Sequence, residues 1–218
     1  MTNQPTVAQQ VVEGFLGDVE PLARQIGTAD GLVALGGGAA GAGPRVTDLP
    51  SLRGFLEDYR SRILVPIEVP AICKAHGYAS RYELRELLLL DGQLAAEPLL
   101  LTFATASQRV GKTQLKRLRP LRDQRLVQRY LRAVQAGEAH GWHTLVYGLI
   151  LSLYSLPLRQ GLLSYARQTT RGFIHSAAGT LGLSGAQCDA LTEEVTVCLP
   201  DAVNAVLKTT LTSPMLIG

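Results

Sequence analysis

The sequence predicts an all-α fold, a single-domain helical bundle of about eight to ten helices. Three observations lead there. Apolar residues recur at helical spacing along most of the chain. Helix-start signatures precede several of those apolar runs. The one alternating run, Val65-Pro-Ile-Glu-Val-Pro-Ala71, holds two prolines, which bars it from a central strand.

The elements follow in order. Residues 1–44 read as an N-terminal helical segment that ends in a glycine-rich loop, Gly36-Gly-Gly-Ala-Ala-Gly-Ala-Gly-Pro44. Such a run loses too much backbone entropy to stay helical, so it separates residues 1–35 from a bundle over 45–218. No strand precedes it, so it lacks the setting of a phosphate-cradling loop. Asp48 is the expected N-cap of a helix whose apolar face is Leu52, Phe55, Leu56, Tyr59 and Ile63. Residues 65–71 read as an irregular or kinked stretch between helices. Ser80-Arg-Tyr-Glu83 has the form of a capping box ahead of Leu84, Leu87, Leu88 and Leu94. A helical segment spans about 98–118, and residues 121–134 repeat the pattern with Val127, Tyr130, Leu131 and Val134. Pro157 opens a helix carrying Leu162, Leu163, Ala166, Phe173 and Ile174. Ser184-Gly-Ala-Gln187 is a second capping box, opening a segment to about Val197, and Pro200 starts the next turn.

Composition bounds the function. At 218 residues the chain buries a sizeable core without disulfides or metals. Hydrophobic residues are 46% and charged residues 18%, a globular balance. The 21 basic and 18 acidic residues leave a net charge of +3, too mild to make the whole molecule a trap for polyanions. Cys73, Cys188 and Cys198 are odd in number and form no CxxC pair, so they read as buried thiols in a reducing compartment. The first residues lack a basic segment followed by an apolar one, so no secretory signal is expected and the location is cytoplasmic. The most apolar run, residues 145–156, falls short of the roughly 20 residues that a membrane span needs.

Several motifs invite chemistry. Ala106-Ser-Gln-Arg-Val-Gly-Lys-Thr113 fits a loose phosphate-loop pattern, but alanine holds the first position and the pattern lies inside a helical segment. Ser107 and Gly111, four apart, read instead as close helix packing in the core. His140 and His143 sit three apart, but no third metal ligand lies near. No Gly-x-Ser-x-Gly elbow exists, and no recognisable order of Ser, His and Asp. The expectation is therefore no catalytic residue, no metal and no cofactor. Nine of the 21 basic residues fall between Arg109 and Arg132: Arg109, Lys112, Lys116, Arg117, Arg119, Arg122, Arg125, Arg129 and Arg132. That strip reads as a solvated face, as a surface for an acidic protein or as one for RNA.

Taken together, the segments over residues 15–207 resemble the UreF-type urease accessory proteins. Leu101-Thr-Phe-Ala-Thr-Ala-Ser-Gln-Arg-Val-Gly111 is similar to the family's helix with a Ser-x-x-x-Gly core. Asp48-Leu-Pro-Ser-Leu-Arg-Gly-Phe-Leu56 is similar to its acidic residue followed by a Leu-x-x-(aromatic)-Leu helix. Val69-Pro-Ala-Ile-Cys-Lys-Ala-His76 resembles the helix after it. His143-Thr-Leu-Val-Tyr-Gly148 is similar to His-Pro-x-x-(aromatic)-Gly, and Gly161-Leu-Leu-Ser-Tyr165 to Ala-Leu-x-x-Tyr. Leu183-Ser-Gly-Ala-Gln187 resembles the loop that opens the last long helix. The chain departs at the N-terminus, where only Pro21 and Gly31-Leu32 match, and at Ala104 and Thr144, which replace an arginine and a proline.

The resemblance implies an all-helical, cytoplasmic homodimer that is not an enzyme and binds neither nucleic acid nor membrane. It implies docking to a UreD-type (UreH) accessory protein and recruitment of the UreG-type GTPase to deliver nickel to the urease apoprotein. The nucleotide would sit on the GTPase. The partner-binding residues it implies are Tyr165, Arg171, Val203, Val206, Leu207, Leu211, Met215, Leu216 and Ile217, with the Tyr165 hydroxyl anchoring the C-terminal tail. From the residues alone, that tail either meets a partner or packs on its own bundle. The second reading of the whole chain is a basic helical adaptor that binds RNA or an acidic protein through residues 109–132.

Overall fold

Asp48 opens the first helix. Its carboxylate accepts the Ser51 N–H at 2.9 Å, and Ser51 Oγ accepts the Asp48 N–H at 3.1 Å. This reciprocal cap starts α1, Leu49–Tyr59, which buries Leu52, Phe55, Leu56 and Tyr59. The computed structural model describes residues 46–121 and 123–212, with side chains to residue 210. The N-terminal segment over 1–44, its glycine-rich loop, Arg122 and the tail over 213–218 lie outside the described residues.

The chain does not break at its two prolines. It continues through a π-helical segment, Arg60–Glu68, straight into α2, Val69–Ser80. This corrects the irregular connection expected at 65–71, and the reason is steric. A proline inside an α-helix lacks its N–H and meets the carbonyl four residues back. A π-turn bonds to the fifth residue back, as Val69 N–H does to Leu64 O, and so makes room around Pro66.

Eight further segments complete the described chain. They are α3, Leu84–Ala95; a 3-10 turn, Pro98–Leu100; α4, Leu101–Arg117; α5, Arg125–Ala136; α6, His143–Leu153; α7, Leu158–Leu181; α8, Gly185–Thr196; and α9, Leu199–Thr212. No strand occurs among the described residues, and the fold is all-α. The capping box at Ser184 and Gln187 is present. The one expected at Ser80 and Glu83 is not. Ser80 Oγ donates back to His76 O at 2.8 Å, and Glu83 pairs with Arg81. The α2 helix extends to Ser80 and occupies it, so Ser80 cannot cap α3.

One buried helix organises the others. In α6 every side chain from His143 to Leu151 is buried. α2 and α4 lie along it, and α7 touches it. Two of these contacts are made by backbone. A Cβ on Gly148 would lie 2.6 Å from Ile72 O, so glycine there lets α2 and α6 close up. A Cβ on Gly111 would meet Gly141 O and lie 2.8 Å from His143 N, so glycine in α4 seats the start of α6. No single helix among the described residues is long and apolar enough to cross a membrane. α3 with the segment over 98–117 reaches the length and composition together, but bends by 74° at its break.

The two kinds of helical glycine predict opposite outcomes. Gly111→Ala should lose about 3 kcal/mol or more of stability, because backbone atoms must move apart to admit the methyl. Gly54→Ala, in α1 with nothing within 4 Å of its Cβ, should gain about 0.5–1 kcal/mol. Urea unfolding of the two variants against the parent chain checks both signs.

Candidate functional site

The residues singled out from sequence fall into three places. Ser107 and Gly111 lie on the buried face of α4. Ser107 Oγ accepts the His143 N–H at 3.2 Å. That N–H is one of the free donors at the start of α6, and Trp142 at the N-cap has no side-chain oxygen to offer. A serine from the neighbouring helix caps α6 instead. Lys112 and Thr113 follow on the exposed side of the same unbroken helix, so no phosphate-loop turn forms.

Tyr165 is also internal. It is 2% exposed, and its hydroxyl is hydrogen-bonded with Glu68 and Thr144. Its ring is part of the bundle interior, and its hydroxyl has partners there. Val203 on α9 is 1% exposed, packed against its own bundle, where α9 lies on α7 and α2. Val206 and Leu207 pack on the core while staying partly accessible. Arg171 is exposed on α7, donates from Nε to His175 Nε2 at 3.3 Å and stands 4.0 Å from Asp189. The side chain of Leu211 and the residues Met215, Leu216 and Ile217 lie outside the described residues.

The basic strip forms the third place. Arg109, Lys112, Lys116, Arg117, Arg119, Arg125, Arg129 and Arg132 are all exposed, along the second half of α4, the following turn and α5. α5 turns Leu126, Val127, Tyr130, Leu131 and Val134 inward, which sets Arg125, Arg129 and Arg132 in a row on its outer face. None of the eight is in an ion pair among the described residues.

Sequence reasoning missed two buried carboxylates. Asp91 accepts the Tyr130 hydroxyl at 2.6 Å, the His140 N–H at 2.6 Å and the Gly141 N–H at 3.0 Å. It thus ties α3 to α5 and to the turn before α6. Glu68, in the π-helical segment, accepts the Tyr59 hydroxyl at 2.5 Å and meets Tyr165 from the other side. The signal was available. Leu84, Leu87, Leu88, Asp91 and Leu94 form one helical stripe, and so do Leu64, Glu68, Ile72 and Ala75. A carboxylate in an apolar stripe is a buried one with partners.

Burial shifts the proton equilibria here. It raises the Glu68 carboxyl to about 7, against the pull of its two tyrosine donors. It lowers His143 to about 4, and His143 Nδ1 has no hydrogen-bond partner among the described residues. His143 is thus a neutral core residue, edge-on to Tyr147 and tilted against Tyr165, while His140 is exposed. No three of the described His, Cys, Asp and Glu side chains are grouped to hold a metal ion. Cys73 and Cys188 are buried as expected; Cys198 is only partly so, and takes a hydrogen bond from Arg60.

Two comparisons bear on this arrangement. The family model described as UreF matches residues 46–194, about two-thirds of the chain. No curated protein matches it.

The opposed shifts make a pH prediction. Folded Glu68 keeps its proton to about pH 7, whereas an ordinary glutamate releases it near 4.5. Its contribution is complete below about 4.5 and is lost as the pH rises to 7. Folded His143 resists protonation down to about 4, against an ordinary 6.5, so its contribution is complete above 6.5 and is lost as the pH falls. Between 4.5 and 6.5 the two slopes oppose each other. Glu68→Gln removes one of them. The stability of that variant, relative to the parent, should climb by a few kcal/mol from pH 4.5 to 7 in urea titrations. A flat difference across that range would contradict the buried, protonated carboxyl.

Proposed function

The chain belongs to the UreF family of urease accessory proteins, and from that premise we propose that it acts by binding and not by catalysis. It is a helical scaffold, a homodimer in the cytoplasm, that docks a UreD-type (UreH) protein and presents a joint surface to the UreG-type GTPase. The product of that assembly is nickel delivered to the urease apoprotein. The observation that carries this reading is the family match, which runs from the cap of α1 through most of α8. Ser107, Gly111 and Gly148 support it, because the resemblance quoted them and all three serve the seating of α6.

The mechanism is a set of coupled affinities. A scaffold shifts the GTPase only if it binds one state more tightly than another. The docking end is the end of α9 together with the residues beyond it. Val203 belongs to the protein's own core, so the candidate contacts are Val206, Leu207 and the apolar end Leu211, Met215, Leu216 and Ile217.

Co-expression with the UreD-type and UreG-type proteins of the same source, followed by light scattering on a sizing column, tests the assembly. A stable complex with the first that also retains the second is the expected result. Serine at Leu211, Met215, Leu216 and Ile217 together should abolish the complex and leave the melting temperature of the free chain in place. Loss of stability with the complex retained would instead assign that tail to its own bundle.

A further inference from the structure

An exposed aromatic ring marks the C-terminal end of α2. Helix α2 ends in a turn whose Tyr82 N–H bonds to Ala79 O at 3.2 Å and whose Glu83 N–H bonds to Tyr78 O at 2.9 Å. Helices that end this way usually place glycine at the left-handed position. Here that position is Tyr82, at φ +58°. A bulky side chain in this conformation is an outlier, and it persists only where something favours it. Packing does not favour it, since Tyr82 is 71% exposed. The residue is strained to hold an aromatic ring in solvent.

The surroundings of that ring match an interface core. Tyr82 borders a hollow of about 540 Å³ lined by Glu83, Leu84, Arg85, Glu86, Leu88, Leu89 and Arg129, in which Glu83 is paired with Arg81. Leu89 is itself 58% exposed. Tyr82 also borders a second hollow of about 360 Å³, between α2, α5 and α6. Exposed tyrosine and arginine around an apolar floor is the composition that carries most binding energy at protein interfaces. Arg129 is the middle member of the row Arg125, Arg129 and Arg132, so the hollow opens directly onto the basic ridge.

We propose that the Tyr82 hollow and the adjoining arginine ridge of α5 form one docking site for an acidic protein segment that carries an apolar anchor. The ridge selects the charge. The leucine floor selects a protein side chain over a phosphate backbone, which has no apolar group to place on Leu88 and Leu89. The proposal stands on this geometry and does not require the urease role.

The test uses the full chain and four labelled probes read by fluorescence anisotropy at low and physiological salt. They are a short helical peptide with glutamates on one face and leucines on the other, the same peptide with lysine for glutamate, polyglutamate, and single-stranded poly(U) RNA. The first should bind, weakening with salt, with polyglutamate weaker by about tenfold or more and the lysine peptide silent. Tyr82→Gly relieves the strain, so its melting temperature should rise by about 2–4 °C while its affinity for the first peptide drops about tenfold or more. Arg129→Glu should lose affinity to a similar extent with no change in melting. Retained affinity in Tyr82→Gly, or no binding of the acidic peptide, overturns the proposal. Tighter binding of poly(U) than of the peptide overturns it in favour of nucleic acid. A change of oligomeric mass in either variant overturns it in favour of a second copy.

Discussion

The fold depends on how closely backbone can approach α6. A helix buried on every side has no polar face to turn to water, so its neighbours must supply both packing and hydrogen bonds. Gly148 removes the side chain that would hold α2 away, and Gly111 removes the one that would hold α4 away. At Gly111 the approach is to the turn over 141–143, where the N–H groups of the α6 start are still unpaired. That closeness lets Ser107 reach the His143 N–H and Asp91 reach those of His140 and Gly141. Tertiary contact and helix capping are the same event here.

Polar groups inside this bundle cluster where helices of different direction meet. Asp91 joins α3, α5 and the turn before α6; Glu68 joins the π-helical segment to Tyr59 of α1 and Tyr165 of α7. Each carboxylate replaces a leucine-sized position in an apolar stripe, and its hydrogen bonds have direction where a leucine's contacts do not. Such groups fix which helix neighbours which, at some expense in desolvation. Tyr59, which donates to Glu68, packs edge to face on Phe103 and Phe173, and Glu68 itself is buried.

The helices were legible because the signals for them are local. Asp48, Ser184 and the apolar stripes act within a turn or two of themselves, and the all-α class follows from them. Ser80 misled because a capping box needs the preceding helix to have ended, and where α2 ends is set by packing on α6. The prolines misled because the sequence rule against them assumes α geometry, and a π-turn escapes it. The bond between Tyr165 and Glu68 was not legible, since the two lie 97 positions apart and no local spacing announces it. The tail residues Met215, Leu216 and Ile217 lie outside the described residues.

The π-helical segment has a consequence for how this chain can vary. Each residue of a helix turns the following part by about 100° and advances it by about 1.5 Å. A π-turn amounts to one residue more than an α-turn holds, so the lengths of 60–68 and the direction of α2 are coupled. Removing one residue there would let the rod relax to ordinary α geometry while swinging Ile72 and Ala75 off Gly148. Outside the buried Ile63, Leu64 and Glu68 the composition of that stretch is free to drift; its number of residues is not. Among the members of a lineage descended from this chain, insertions and deletions should therefore collect in the connection around 119–124, and the segment from Leu49 to Ser80 should keep its length.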